Sequence, residues 1–302
     1  MSTNIHGTIV VPGKHHPVFD LPHWEREFPL AEDDRSEAGW IDRPCELAIR
    51  EQAIRRARAA AELGPSVASD VFVWADQHDR ERPWLTRIGG RPWRPEGRPW
   101  PRDEKGVPLL FLGQICFADS RDVLPCELPG DVALIFGIKQ SNCIWSSALE
   151  WSPIEIETPV DYGGIPWTGE MPIAYQGVIH RTEQFTDAEI AEPVFESLGY
   201  KNGGWNLQSI QATSIGAFAN LPQGWPFDED EGCTLIATLS SFYFGRKWPL
   251  CDVPAGLNYA SADGRILDMC GDTARDFSIG DAGCIWIYRD SSGEFHLDEA
   301  CG

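Results

Sequence analysis

Short apolar runs separated by Gly, Pro and Asp recur along most of the chain. The clearest are "PLLFLGQICF", "DVALIFGI", "CTLIATLSSFYF" and "GCIWIYRD". Runs of this length bounded by turn residues predict β-strands. Two stretches have a helical character instead. "CELAIREQAIRRARAAAEL", Cys45 to Leu63, is built of strong helix formers and stops at Gly64-Pro65. Leu47, Ile54, Ala57 and Ala61 make its apolar stripe, and Arg50, Arg55, Arg56 and Arg58 are expected on the solvated surface. "TDAEIAEPVFESLGY" predicts a second helix, with Thr186 and Glu189 at capping-box spacing and Gly199 as its stop. Pro193 is expected to bend that helix or divide it. The first forty residues, with "AEDDRSE" near their end, read as an irregular acidic arm.

One segment breaks the pattern. "TRIGGRPWRPEGRPWP", Thr86 to Pro101, holds arginine, proline and tryptophan with Ile88 as its one aliphatic residue. Comparing the chain with itself supplies a reason. Thr86 opens a Thr-x-Ile-Gly motif that recurs at Thr213, and each copy then has a proline and a Trp-Pro pair: Pro95 with Trp100-Pro101, and Pro222 with Trp225-Pro226. Equal spacings lead from Trp100 to Phe117 and from Trp225 to Phe242, at the ends of the apolar runs that follow. Downstream, Gly130-Asp131 and Gly280-Asp281 each precede another apolar run. The chain therefore reads as mainly antiparallel β with a few helices, an α+β fold with internal duplication. Residues 1–80 form the arm and first helix, and 81–302 a duplicated domain with halves of about 81–200 and 201–302. Trp100 and Trp225 are expected to be buried at equivalent places. Arg91, Arg94 and Arg98 have no counterpart in the second copy, so the shared turn does not require them.

Charge narrows the function. The formal net charge is -21, yet residues 81–105 carry seven basic against four acidic side chains. Such acidity repels nucleic acid and anionic membranes and favours cationic partners. "FDEDEG" concentrates it at Asp228, Glu229, Asp230 and Glu231, in the loop that matches "RDEKG" of the first copy. The chain lacks an apolar run of about 18 residues that would span a membrane, and its first residues lack the pattern of a signal peptide. Nine scattered cysteines without Cys-x-x-Cys fit thiols in a reducing cytoplasm. His15, His16 and His23 lie in the arm, and His-Glu-x-x-His is absent, so no metal or cofactor is expected. Neither a Gly-x-Ser-x-Gly elbow nor a phosphate-cradling Lys-Ser/Thr loop occurs.

The set "RIGGRPWRPEGRPWP", "PLLFLGQICFAD", "LPGDVALIFG" and "GDAGCIWIY" resembles the YwqG-like family, a bacterial domain of unknown function. The second copy departs from it, with "IGAFANLPQGWP" in place of the Gly-Gly pair and no glutamine matching Gln114. The resemblance implies a β-rich fold with internal pseudo-symmetry and no assigned catalytic residue. It also implies a binding role of the immunity type, because genes of such proteins lie near polymorphic toxin genes. The expected function is non-catalytic protein binding, with a cationic toxin domain as partner and without nucleic acid or membrane. Trp93, Arg94 and Arg98 are the expected anchors, and Asp228, Glu229, Asp230 and Glu231 the expected electrostatic surface. The alternative is a small-molecule-binding protein or an enzyme that uses a cleft between the halves.

Overall fold

The computed structural model describes residues 2–3, 9–10, 44–75, 82–140, 143–157, 175–200, 212–216, 232–241, 277, 279 and 283–300. Within the expected irregular arm, β1 (Ser2–Thr3) pairs with β2 (Ile9–Val10). Ten further strands make one sheet. They are β3 (Ser66–Ala75), β4 (Arg87–Ile88), β5 (Leu110–Cys116), β6 (Val132–Gln140), β7 (Cys143–Ser152), β8 (Tyr175–Phe185), β9 (Ser214–Ile215), β10 (Thr234–Ser240), β11 (Cys284–Arg289) and β12 (Phe295–Ala300). Their order is β12-β11-β10-β9-β3-β8-β4-β5-β6-β7, and every neighbouring pair is antiparallel. β3 precedes residue 81 and takes a central place. The sheet curls until its two outer strands meet, where the rings of Trp151 on β7 and Phe295 on β12 lie 5.3 Å apart. It is a nearly closed, barrel-like sheet.

The long apolar runs form strands buried on both faces. On β6, Ala133 and Ile135 join the principal core with Ile88, Ile115, Ile215, Ile285 and Ile287. Val132, Leu134 and Phe136 alternate to the opposite face and pack against Trp93 and Trp100.

Pairing details recur between distant segments. Cys116 donates its N–H to Thr86 Oγ1 at 2.9 Å, and Ser240 donates its own to Thr213 Oγ1 at 3.0 Å. Ile88 faces Gly113, as Ile215 faces Ala237. β5 and β10 each have a bulge, between Phe111 and Gly113 and between Leu235 and Ala237. Phe117 N–H donates to the Asp131 carbonyl at 2.8 Å, and Ser241 N–H to the Gly283 carbonyl at 2.9 Å.

Helices α1 (Pro44–Ala60) and α2 (Ala188–Ser197) pack on each other through Ala53, Ile54, Ala57, Ala191 and Phe195, with Phe185 and Tyr200. The observed N-cap of α2 is Asp187, whose carboxylate accepts from Ile190 N–H at 3.2 Å. Thr186 belongs to the preceding turn and bonds to the Pro65 carbonyl. Pro193 lies within a single helix, because burial of Ala191 and Phe195 on either side outweighs its missing N–H. Gly199, at φ 88°, ends α2: its N–H donates to Glu196 and that of Tyr200 to Phe195, while Tyr200 packs on the Phe195 ring.

Two expectations for α1 change. Ala61 is exposed, beyond the last turn. Arg50 is fully buried, because β8 pairs with β4 only at Tyr175 and Gln176, and α1 covers the edge beyond. Arg50 donates there to Thr182 Oγ1 at 2.7 Å and to the Glu183 carbonyl. Arg55, Arg56 and Arg58 are exposed. A 3₁₀ helix, Ala118–Val123, completes the described helices. Among the described residues, no helix is long and apolar enough to cross a membrane.

Candidate functional site

The Arg-Trp-Pro loop between β4 and β5 folds back over β6 and β7. Its anchor is Gln114, in the middle of β5 and 1% exposed. The Gln114 carboxamide oxygen accepts from Trp93 N–H at 2.8 Å. Its nitrogen donates to the carbonyls of Pro83 at 3.0 Å and Leu85 at 2.8 Å. A single buried amide thus ties the start of the loop to the segment that precedes β4, and burial strengthens each of these bonds. Trp93 then donates through Nε1 to the carbonyls of Pro153 (3.0 Å) and Ile154 (3.1 Å), and Trp84 meets its ring edge-on. Trp100 donates to the Leu109 carbonyl at 2.8 Å and sits edge-on to Phe136, with 5.2 Å between ring centroids. It is buried, as expected of it from the sequence.

The arginines converge on Glu150 of β7. Arg94 is 1% exposed and makes a two-pronged pair with that carboxylate, Nε to Oε2 at 2.7 Å and Nη2 to Oε1 at 2.9 Å. Its remaining donors reach the Arg98 carbonyl at 2.6 Å and the Pro99 carbonyl, and its guanidinium lies over the Trp100 ring at 5.6 Å. Such a planar fork, making four hydrogen bonds and lying over an aromatic ring, is chemistry particular to arginine. Arg98 is 36% exposed and donates to Glu150 Oε2 at 3.3 Å and to the Trp151 carbonyl at 2.9 Å. Of the three expected anchors, Trp93 and Arg94 therefore lie beneath the loop, and Arg98 stands at its surface beside exposed Arg91 and Glu96. Trp225 and the expected acidic surface at Asp228, Glu229, Asp230 and Glu231 lie outside the described residues, as do His15, His16, His23 and Asp281.

Residues 86–162, which hold this loop, β5, β6 and β7, match the family described as "Domain of unknown function (DUF1963)". That family carries no stated activity. No curated protein matches the chain.

Two polar groupings were not anticipated from sequence. Beneath α1, Glu51 Oε1 accepts from Thr182 Oγ1 at 2.6 Å and lies 3.5 Å from Nε2 of buried His180. Burial alone would raise the Glu51 pKa, but His180, Arg50 and Thr182 together hold it below the usual carboxylate value. Burial pushes the Arg50 guanidinium down to about 10, against the pull of Glu51 and Glu183. The only advance signal was polar residues alternating along β8, at His180, Thr182 and Gln184. In the β11–β12 turn, Asp290, Glu294 and His296 place possible metal-ligand atoms within 4.8 Å of one another. Asp290 Oδ1 already accepts from Ser292 Oγ and Glu294 N–H, and its Oδ2 meets His296 Nε2 at 2.8 Å. Those bonds are what a hairpin turn needs, so the group has a structural use without an ion.

Proposed function

We propose that this chain is a YwqG-like, non-catalytic binding module of duplicated architecture. Its partner is a cationic protein, as when an immunity protein neutralises a toxin domain. One observation carries the reading: the positively charged loop turns its most buried arginine inward onto Glu150, leaving an acidic molecule with a cation-rich segment used to build the fold. The net charge of -21 then draws a cationic protein and repels phosphate polymers. Duplication is supported by the paired threonine bonds, bulges and registers of the two strand sets. The binding surface draws on Asp228, Glu229, Asp230 and Glu231, with Arg98 at the rim of the first loop.

Affinity purification of the tagged chain from its native host, followed by mass spectrometry, tests this reading. A stoichiometric basic protein is the expected result. A retained small molecule with no protein would overturn it in favour of a ligand-binding or enzymatic role between the halves. With the partner in hand, changing the four acids at 228–231 to lysine should slow association at low salt, and the defect should shrink as ionic strength rises. Unchanged association at low salt would remove that loop from the surface.

A further inference from the structure

We propose that Asp298 is a docking point for an arginine side chain of the cationic protein partner. This rests on the binding reading above and specifies its chemistry. In one strand set Val132 faces Ser152 and Leu134 faces Glu150. In the other Cys284 faces Ala300 and Trp286 faces Asp298. β6 and β11 are themselves matched through their neighbours, since Cys116 faces Val132 as Ser240 faces Cys284. Asp298 therefore holds on β12 the place that Glu150 holds on β7.

The two carboxylates have different surroundings. Glu150 takes two guanidinium groups from its own loop, one of them two-pronged. In the second copy, aligned on Pro95 with Pro222 and Trp100 with Trp225, Leu221 stands at the position of Arg94 and the Arg98-Pro99 pair is deleted. No lysine or arginine occurs between Lys201 and Arg246. Among the described residues the Asp298 carboxylate accepts one bond, from Glu299 N–H to Oδ1 at 2.8 Å. It is half-buried, on a paired strand, with Glu294 and Glu299 close in sequence. A carboxylate held on a strand where its counterpart binds a guanidinium, in a copy whose sequence has leucine in place of that arginine, suits an arginine delivered from outside. Arginine is favoured over lysine because only its fork can reproduce the Arg94 geometry.

The test uses hexa-arginine and hexa-lysine peptides, titrated calorimetrically into the full chain at physiological ionic strength. Hexa-arginine should bind about fivefold more tightly than hexa-lysine, reflecting one two-pronged pair. Asp298→Asn should abolish that preference, whereas Glu157→Gln, at an exposed acid after β7, should keep it. A preference that survives Asp298→Asn, or no preference in the parent, overturns the proposal. The two readings separate cleanly. If a co-purified basic protein binds Asp298→Asn as tightly as the parent, the docking point is wrong and the binding reading stands. If no protein co-purifies, the binding reading fails whatever the peptides show.

Discussion

At Arg94 a full positive charge lies 1% exposed, and Glu150 is its only carboxylate partner among the described residues. An ion pair in such a place is costly to break from one side, because the remaining charge keeps its burial and loses its compensation. Glu150→Ala should therefore cost about 3–5 kcal/mol in urea unfolding. Replacing both members, as Arg94→Met with Glu150→Leu, should cost much less than either single change. Equal and small losses in all three variants would show that the loop is held by Gln114 and the tryptophans alone. The arginines were visible in the sequence as an anomaly, but their acceptor was not. Glu150 sits in "SSALEWS", where a lone acid on an alternating strand reads as a solvated position. Only the fold-back of the loop, set by Gln114 in the strand below, brings it under the guanidinium groups.

Strands and helices were legible because their signals are local. The four apolar runs named from sequence became β5, β6, β10 and β11, and the end of α2 at Gly199 followed from its left-handed backbone. What the sequence hid was set by neighbours. Arg50 looks like one more surface arginine until β8 leaves an open edge for α1 to cover. The choice of Asp187 over Thr186 as cap depended on where β8 released the chain. The contact under α1 also has a pH signature. Glu51 has a folded pKa below its unfolded value, so its stabilisation is complete above the unfolded value, about 4.3, and is lost as pH falls through the folded one. Acidification from about pH 5 to pH 3 should therefore destabilise the parent more than Glu51→Gln. Parallel losses in the two, followed by circular dichroism, would show that Glu51 does not couple α1 to the sheet in this way.

At the scale of the whole molecule, burial sets the behaviour of two thiols on the sheet, Cys116 and Cys284. Desolvation raises Cys116 and Cys284 from 9.0 to about 12. Across that window the unfolded chain ionises these thiols while the folded protein keeps them protonated, so stability should decline as pH rises from about 9. At pH 8 a disulfide reagent should label both only on unfolding. Rapid labelling in native buffer, mapped by peptide mass, would mean that the sheet opens readily at these strands. The architecture itself was partly foreseeable. The short apolar runs between turn residues pointed to a mainly antiparallel β fold with few helices, and the ten-stranded sheet has that character. Closure of the sheet was not foreseeable, since the meeting of Trp151 with Phe295 depends on accumulated twist across ten strands.

The centre of that sheet bears on errors of assembly. Val73 faces Val178 across β3 and β8, with matched bonds on either side: Phe72 N–H donates to the Thr213 carbonyl and Gly177 N–H to the Thr86 carbonyl. The backbone is balanced there and the side chains are not. A Cβ on Gly177 would come within 2.8 Å of Phe72 Cδ1 and 2.9 Å of Thr86 Cγ2. The middle of the sheet thus has room for the rings of Phe72 and Trp74 only once. Two newly made chains that met through their β3 strands would bring two sets of those rings into space shaped for one. That misfit disfavours pairing between the β3 strands of two chains, and it favours each β3 finding the β8 of its own chain.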